Sequence, residues 1–313
     1  VDGMRTDIAV SDEGVIHVAW IAQEGVSPVA TPAYFVRYVR SYDGGSNFTT
    51  PVSVSGTVRF DILTMDGNAH SGNGPSFSTL DLELDSRGNP RVVYAFNHSS
   101  DGNTAKFSTN PDNIYFNHSE NGGASWLPGN GAIVVNDTVT DGVTEGYSTA
   151  FPRMVIDQRE NIFITYQRGT SAGTATDDIM LTRVDQSTTP FKMELFGQSG
   201  NAGSTGGVRV TPNGSLHQSP DIAIGTGDIL HLVFFNPAEE DIEHKTLLAD
   251  LWHVVSSRGW DNTANGVDVA SFRPLATNNA AIDVPATFYF PTVVVDKVSH
   301  PDRIYAIYKH ATS

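Results

Sequence analysis

One pattern recurs five times along the 313 residues. A short apolar run meets a polar turn, and a second apolar run closes on an aromatic side chain. The copies are Asp7–Trp20 (DIAVSDEGVIHVAW), Asp81–Tyr94 (DLELDSRGNPRVVY), Arg153–Tyr166 (RMVIDQRENIFITY), Asp221–Phe234 (DIAIGTGDILHLVF) and Thr292–Tyr308 (TVVVDKVSHPDRIYAIY). Their closing residues, Trp20, Tyr94, Tyr166, Phe234 and Tyr308, are spaced by 74, 72, 68 and 74 residues. A near-constant period of this length marks a repeat architecture.

Alternation within each copy predicts two strands, A and B. Ile16, Val18 and Trp20 share one face. The turns SDEG, DSRGNP and DQREN supply Asp, Gly and Asn, which tolerate turn geometry. A second hairpin follows each of the first four copies. Its strand C is predicted at Tyr34–Ser41, Ile114–Ser119, Ile179–Arg183 and Trp252–Ser256, and its strand D at Pro51–Val54, Ala132–Val135, Phe191–Leu195 and Val267–Ser271. Four antiparallel strands per period define an all-β fold, a β-propeller of four-stranded blades. The blades are expected near 7–54, 81–135, 153–195, 221–271 and 292–313, within one domain. The fifth has only strands A and B, so about five blades with the last incomplete is the simplest count, and a truncated six-bladed ring is the alternative. Missing residues at one or both ends are the expected cause.

Composition narrows the function. With 35 acidic and 19 basic side chains, the formal charge of −16 repels phosphate backbones and argues against nucleic acid as a partner. No stretch approaches the roughly 18 apolar residues of a membrane helix, so no membrane insertion is expected. Cysteine is absent, which excludes disulfides, thiolate metal sites and a cysteine nucleophile. Few Lys among abundant Asn, Thr, Ser and Gly point to an extracellular or periplasmic location. The chain opens at Val1 without a signal peptide, as a mature or truncated form would.

The turns between strands C and D have the most specific wording. Ser41-Tyr42-Asp43-Gly44-Gly45-Ser46-Asn47-Phe48 resembles the Asp-box, S-x-D-x-G-x-x-[WF], of sialidase-like propellers. Ser119-Glu120-Asn121-Gly122-Gly123-Ala124-Ser125-Trp126 is similar, with Asn121 in the Asp place. Degraded versions stand at Arg183-Val184-Asp185-Gln186 and Ser256-Ser257-Arg258-Gly259. The box has a local purpose. The short acid accepts turn amides, the glycines permit positive φ, and the aromatic packs between sheets. Ser41, Asp43, Gly45, Phe48, Ser119, Asn121, Gly123 and Trp126 are therefore read as structural.

The resemblance implies, for a sialidase, three arginines gripping a carboxylate, a Tyr–Glu nucleophile pair and an acid/base Asp. Arg5, Arg153 and Arg168 are available, but the F/Y-R-I-P motif is absent and Phe151-Pro152-Arg153-Met154 only scrambles it. Glu145 and Tyr147 stand two residues apart in a loop.

In a propeller the ligand face is built from the B–C loops and the D–A connections. Here the connections are long, at Ser55–Leu80, Asn136–Pro152, Phe196–Pro220 and Ala276–Pro291, as in a binding face. Aromatics beside Asn, Asp and Arg suit sugar rings. His98, Arg153, Arg168, His217, Tyr289 and His310 are the candidate ligand-binding residues, and Glu145, Tyr147, His217 and Arg168 the candidate catalytic ones. No cofactor is expected. The Asp261–Asp268 loop offers oxygen ligands for calcium through Asp261 and Asp268, but lacks the terminal Glu of an EF-hand.

The leading expectation is an exported, non-catalytic sialidase-like propeller that binds a glycan or protein partner through its loop-rich face. The first alternative is a carbohydrate-active hydrolase or lyase using the same face. The second is a structural module of a larger surface protein or assembly.

Overall fold

The computed structural model describes residues 6–24, 33–56, 79–97, 112–129, 132–135, 149–169, 177–193, 207–211, 217–236, 241–249, 272–276, 291–298 and 303–307. The described elements form antiparallel sheets that follow one another in chain order. The first holds β1 (Thr6–Val10), β2 (Ile16–Glu24), β3 (Ala33–Ser41) and β4 (Val52–Ser53). The second holds β5 (Leu80–Leu84), β6 (Pro90–Asn97), β7 (Asp112–His118) and β8 (Ile133–Val134). The third holds β9 (Thr149–Ile156), β10 (Ile162–Gly169), β11 (Asp177–Asp185), β12 (Lys192–Met193) and β13 (Val208–Arg209). The fourth holds β14 (Gln218–Ile224), β15 (Ile229–Asn236), β16 (Asp241–Leu248) and β17 (Phe272–Ala276). A fifth pair joins β18 (Thr292–Asp296) to β19 (Arg303–Ile307).

The first strands of the sheets are neighbours in series: β1 beside β5, β5 beside β9, β9 beside β14, and β14 beside β18. This places every strand A on the inside and every strand D outside, which is a β-propeller of four-stranded blades. The core lies between blades. Ile21, Val36 and Tyr38 of the first pack on Leu82 and Tyr94 of the second. Phe116 of the second meets Ile164 and Tyr166 of the third, and Phe163 of the third meets Leu232 and Phe234 of the fourth. Each fully buried large side chain stabilises the fold by about 1.5–3 kcal/mol.

The closing residues of the second, third and fourth copies, Tyr94, Tyr166 and Phe234, look back toward the preceding blade and are fully buried. Trp20 is only half-buried, because no described element covers that face of the first blade. Ile8 and Val10 share the face and are 61% and 60% exposed. Tyr308 lies outside the described residues. Among the described residues, no helix is long and apolar enough to cross a membrane.

Three strand spans differ from the sequence expectation. Strand C of the fourth blade is Asp241–Leu248 rather than Trp252–Ser256, and its strand D is Phe272–Ala276 rather than Val267–Ser271. The run DIEHKTLL reads as polar, yet its charges are buried with partners. Glu243 faces His217, and the Lys245 ammonium donates to the Val210 carbonyl. In the third blade the outer strand is split into β12 and β13, both paired to β11. The second piece lies inside a segment expected to be loop.

The two turns that resemble the Asp-box make the hydrogen bonds expected of their Ser, Asp and Asn residues. The Ser41 hydroxyl donates to Asp43 (2.8 Å), which also accepts the Asn47 side-chain amide (2.7 Å) and backbone N–H (2.8 Å). The Asn47 amide leads these bonds in holding the Asp43 carboxyl down at about 2. Asn121 plays the same part, accepting from Ser119 (2.9 Å) and from the Ser125 N–H (2.9 Å). Asp185, in the degraded third turn, keeps one such bond, accepting the Ser187 N–H at 2.9 Å.

The aromatics part company. Trp126 is buried edge-on against Tyr38 of the first blade, at 5.1 Å between ring centroids. Phe48 is 47% exposed, which corrects the expectation that it packs between sheets. The box aromatic reaches back to the preceding blade, and none is described before the first.

The second box is thereby fitted to its neighbour. Gly123 has φ +89°, and a Cβ there would run into the Tyr38 ring, whereas Gly44 (φ +69°) has open space around it. Gly123→Ala is expected to cost about 2–4 kcal/mol by urea denaturation, and Gly44→Ala only the left-handed penalty of about 1–2 kcal/mol. Equal losses would show that the box does not depend on the first blade.

Candidate functional site

Strand A of a propeller has an inner edge with no strand beyond it, so its N–H groups need other acceptors. The sequence provides them at one repeat position. Asp7 accepts the Leu82 N–H (2.8 Å), Asp81 accepts the Met154 N–H (2.6 Å), and Asp221 accepts the Val293 N–H (2.8 Å). Each acid is the first residue of its copy, and each donor is the second residue of the next copy. A carboxylate thus clasps every described blade junction except that between the third and fourth. There the repeat places Arg153, whose Nε lies 3.4 Å from Asp221.

These clasps gather Asp7, Asp81, Arg153 and Asp221 around the axis. A cavity of about 630 Å³ continues from Asp7 and Asp81 toward the A–B turns, with Glu83, Asp157, Asp228 and Lys297 also in its wall. Crowding of acids away from bulk water raises their proton affinity. Asp81 is pushed up to about 7 by burial, with Arg153 opposing and Asp7 and Asp221 adding like charge. Glu83 is pushed up to about 8 by burial, then by Asp81 and Asp7. Burial also raises Asp221, against Arg153 and the Val293 N–H. The axis therefore presents carboxyls that hold protons near neutrality beside a guanidinium.

The approach to this group is kinked in the third and fourth blades alone among those described. Phe151 (φ 53°) and Ser219 (φ 51°) are left-handed, each followed by proline and then by the axial Arg153 or Asp221. The pairing of both strands shifts register there, between Thr165 and Gln167 and between Gln218 and Asp221. A bulge that re-aims side chains is a recurrent device beside functional sites.

A second group of ionisable residues lines the junction of the same two blades, at the ends that carry the B–C loops. Asp178 is buried and faces two guanidiniums, Arg209 (Nε at 3.0 Å) and Arg168 (3.8 Å). Burial raises its carboxyl despite Arg209, Arg168 and His217. His217 Nε2 lies 3.2 Å from Glu243, which also accepts from Asn236 at 2.8 Å. The Ser219 N–H donates across the junction to Gln167 at 3.0 Å.

Sequence reasoning reached part of this arrangement. Arg153, Arg168 and His217 stand on the third and fourth blades. Each is held by a buried acid: Asp221, Asp178 and Glu243 respectively. His98, Glu145, Tyr147, Tyr289 and His310 lie outside the described residues, as do Asp261 and Asp268. Among the described residues, no group of three or more His, Asp or Glu side chains is set to hold a metal ion.

The axial acids Asp7, Asp81 and Asp221, with Glu83, were not foreseen. Their signal was present, since three of the five copies begin with Asp in the same column. Arg209 was legible only as a polar residue of a long connection, and Asp178 and Glu243 gave no signal, because Arg209 and His217 meet them only in the folded sheets.

No protein-family model and no curated protein matches the sequence. Solved structures do resemble the chain. An α-L-arabinanase from Penicillium chrysogenum shares 9% identity over 93% of this chain and 70% of its own, with a TM-score of 0.46. The polysaccharide lyase Uly1 shares 13% over 99% of this chain and 67% of its own, at 0.47. An intramolecular trans-sialidase from Ruminococcus gnavus shares 10% over 80% of this chain and 69% of its own, at 0.43. At such identities none of them defines what this chain does.

The raised axial carboxyls have a measurable consequence. A carboxyl whose folded pKa exceeds its unfolded value binds more protons in the folded state, so its stabilising contribution is lost as pH rises through the folded value. Asp81 and Glu83 rise from 3.8 and 4.5 to about 7 and about 8. Relative to an Asp81→Asn/Glu83→Gln variant, the protein is expected to lose stability steadily between about pH 4 and pH 8. His17, lowered to about 4 chiefly by burial, titrates in both proteins and cancels in the difference. A flat difference in urea midpoints across that range would show that these carboxyls are not perturbed.

Proposed function

We propose that the chain is a carbohydrate-active propeller that cleaves a glycosidic bond at its axis. The observation behind this reading is the axial group itself, in which Asp81 and Glu83, with raised proton affinity, line an open cavity and Asp221 pairs with the Arg153 guanidinium. Glycoside cleavage needs a carboxylic acid that keeps its proton near neutral pH to protonate the leaving oxygen, and an ionised partner. Asp81 or Glu83 supplies the acid. Asp221, paired to Arg153, supplies the carboxylate that acts as base or nucleophile. The guanidiniums and His217 on the wall between the third and fourth blades offer donors for sugar hydroxyls. The two Asp-box turns and the Asn-, Thr-, Ser- and Gly-rich composition support an exported, sialidase-like propeller. Glycan binding without turnover, the leading expectation from sequence, is the reading this one displaces.

The test is a panel of neutral and acidic polysaccharides, followed by reducing-end release and by the ultraviolet absorbance of unsaturated products. Release of reducing ends without unsaturation is expected. Asp81→Asn is expected to lower kcat by about 10²-fold or more while the melting temperature stays within a few degrees. The asparagine oxygen can still accept the Met154 N–H, so this change separates chemistry from the clasp. Binding with no cleavage of any polysaccharide would sink the proposal and leave a binding module. Unsaturated products lost in His217→Ala would instead assign a lyase.

A further inference from the structure

The inner strands obey one rule and break it once. Where a preceding blade offers an acid, the next blade's N–H crosses to it, as Leu82, Met154 and Val293 do. Where none is offered, the N–H turns to its own blade. Ile8 donates to Asp7 at 2.9 Å, and Ile222 turns to Asp221 in the same way. Ile8 has no described blade before it. Ile222 does, and that blade presents Arg153 where the repeat elsewhere sets an acid. The fold has thus given up a clasp at one junction for a cation on the axis. Sites that break an otherwise consistent structural rule are where function is to be sought.

Several details show what the cation does there. Its Nε approaches Asp221 Oδ1, while Asp221 Oδ2 is committed to Val293. The guanidinium also donates through NH1 to the Pro152 carbonyl at 3.2 Å. The left-handed Phe151 and Ser219 kinks sit two residues before Arg153 and Asp221, so both partners of the pair come from re-aimed strands. The charged groups that bear on this pair are Asp7 on β1 and Asp81 and Glu83 on β5, while Lys297 beyond β18 bears on Glu83. Arg153 is the only cation that bears on both Asp81 and Asp221 among these causes.

We propose that Arg153 is a positioning residue, whose Nε contact orients Asp221 and favours its carboxylate form over that of Asp81, and so sets which axial carboxyl serves as base. This rests on the axial site being the reactive one. It adds that the choice between two similar acids is made by the position where the repeat departs from itself. With a fourth acid in place of Arg153, the carboxyls would share protons among near-equals, and neither role would be assigned.

Arg153→Asn tests this directly. Asparagine offers the acceptor that the other junctions use, so the blade contact can be remade without the charge. Carbon-detected NMR titration of protein labelled at the Asp carboxyls reads the outcome without any substrate. In Arg153→Asn the Asp221 titration is expected to move up by about 1 unit or more and by more than that of Asp81, and Arg153→Lys is expected to restore at least half of the shift. Titrations that superimpose on the wild type, with only a fall in melting temperature, would overturn the proposal and leave Arg153 as an inter-blade link.

Once a cleaved polysaccharide is in hand, the acidic limb of the kcat profile should move up in Arg153→Asn alongside the Asp221 titration. An unmoved profile in an enzyme that still cleaves would sink this proposal alone. Absence of cleavage by the wild type would sink the axial chemistry while the titration result stood.

Discussion

The hydrogen bond from one inner strand's N–H to the preceding blade's aspartate is the constraint on which this molecule depends. A propeller blade has two edges, and the inner one cannot find a strand partner without closing the axis. Unpaired N–H groups there would cost about 1–3 kcal/mol each if left dry. The chain meets that demand with a short acid on the first, second and fourth blades, placed one residue ahead of the donor's register. The same contact joins consecutive blades, so a local need for an acceptor becomes the link that sets the ring.

Meeting a backbone demand with carboxylates has an electrostatic result. Three acids are brought to the axis by the repeat, and Glu83 follows from the alternation of β5. Their mutual proximity and poor solvation lift Asp81 and Glu83 into the range where they exchange protons near neutrality. Asp81 thus both accepts a backbone N–H and has its proton affinity raised. Arg153 moderates this crowding from the third blade, at the junction where the clasp gives way to an ion pair. The buried acids Asp178 and Glu243 extend the same logic outward, each ordering an arginine or histidine that sequence alone would leave free in a loop.

How far the sequence could be read depends on the range of the interactions involved. The A–B hairpins were legible because alternation and turn residues act within about ten positions, and β1–β2, β5–β6, β9–β10 and β14–β15 formed where the copies stand. The turns at Ser41–Phe48 and Ser119–Trp126 were legible for the same reason, with donors and acceptors two to four residues apart. β16 was not, because Glu243 and Lys245 look like surface residues until His217 and the Val210 carbonyl are placed beside them. Phe48 misled in the opposite direction, since its packing depends on a neighbouring blade rather than on its own turn.

The amino-acid order by itself determined the repeat, the hairpins, the blade architecture and the column of acids that begins three copies. Those are consequences of local stereochemistry and periodic burial, which a linear string records directly. Only the tertiary structure decided that the acids in that column meet at one axis, that Arg153 stands among them, and that Arg168 and His217 are held by buried carboxyls. Proton affinity depends on distance and solvation in three dimensions, and residues on different strands and blades acquire both only when the sheets are assembled.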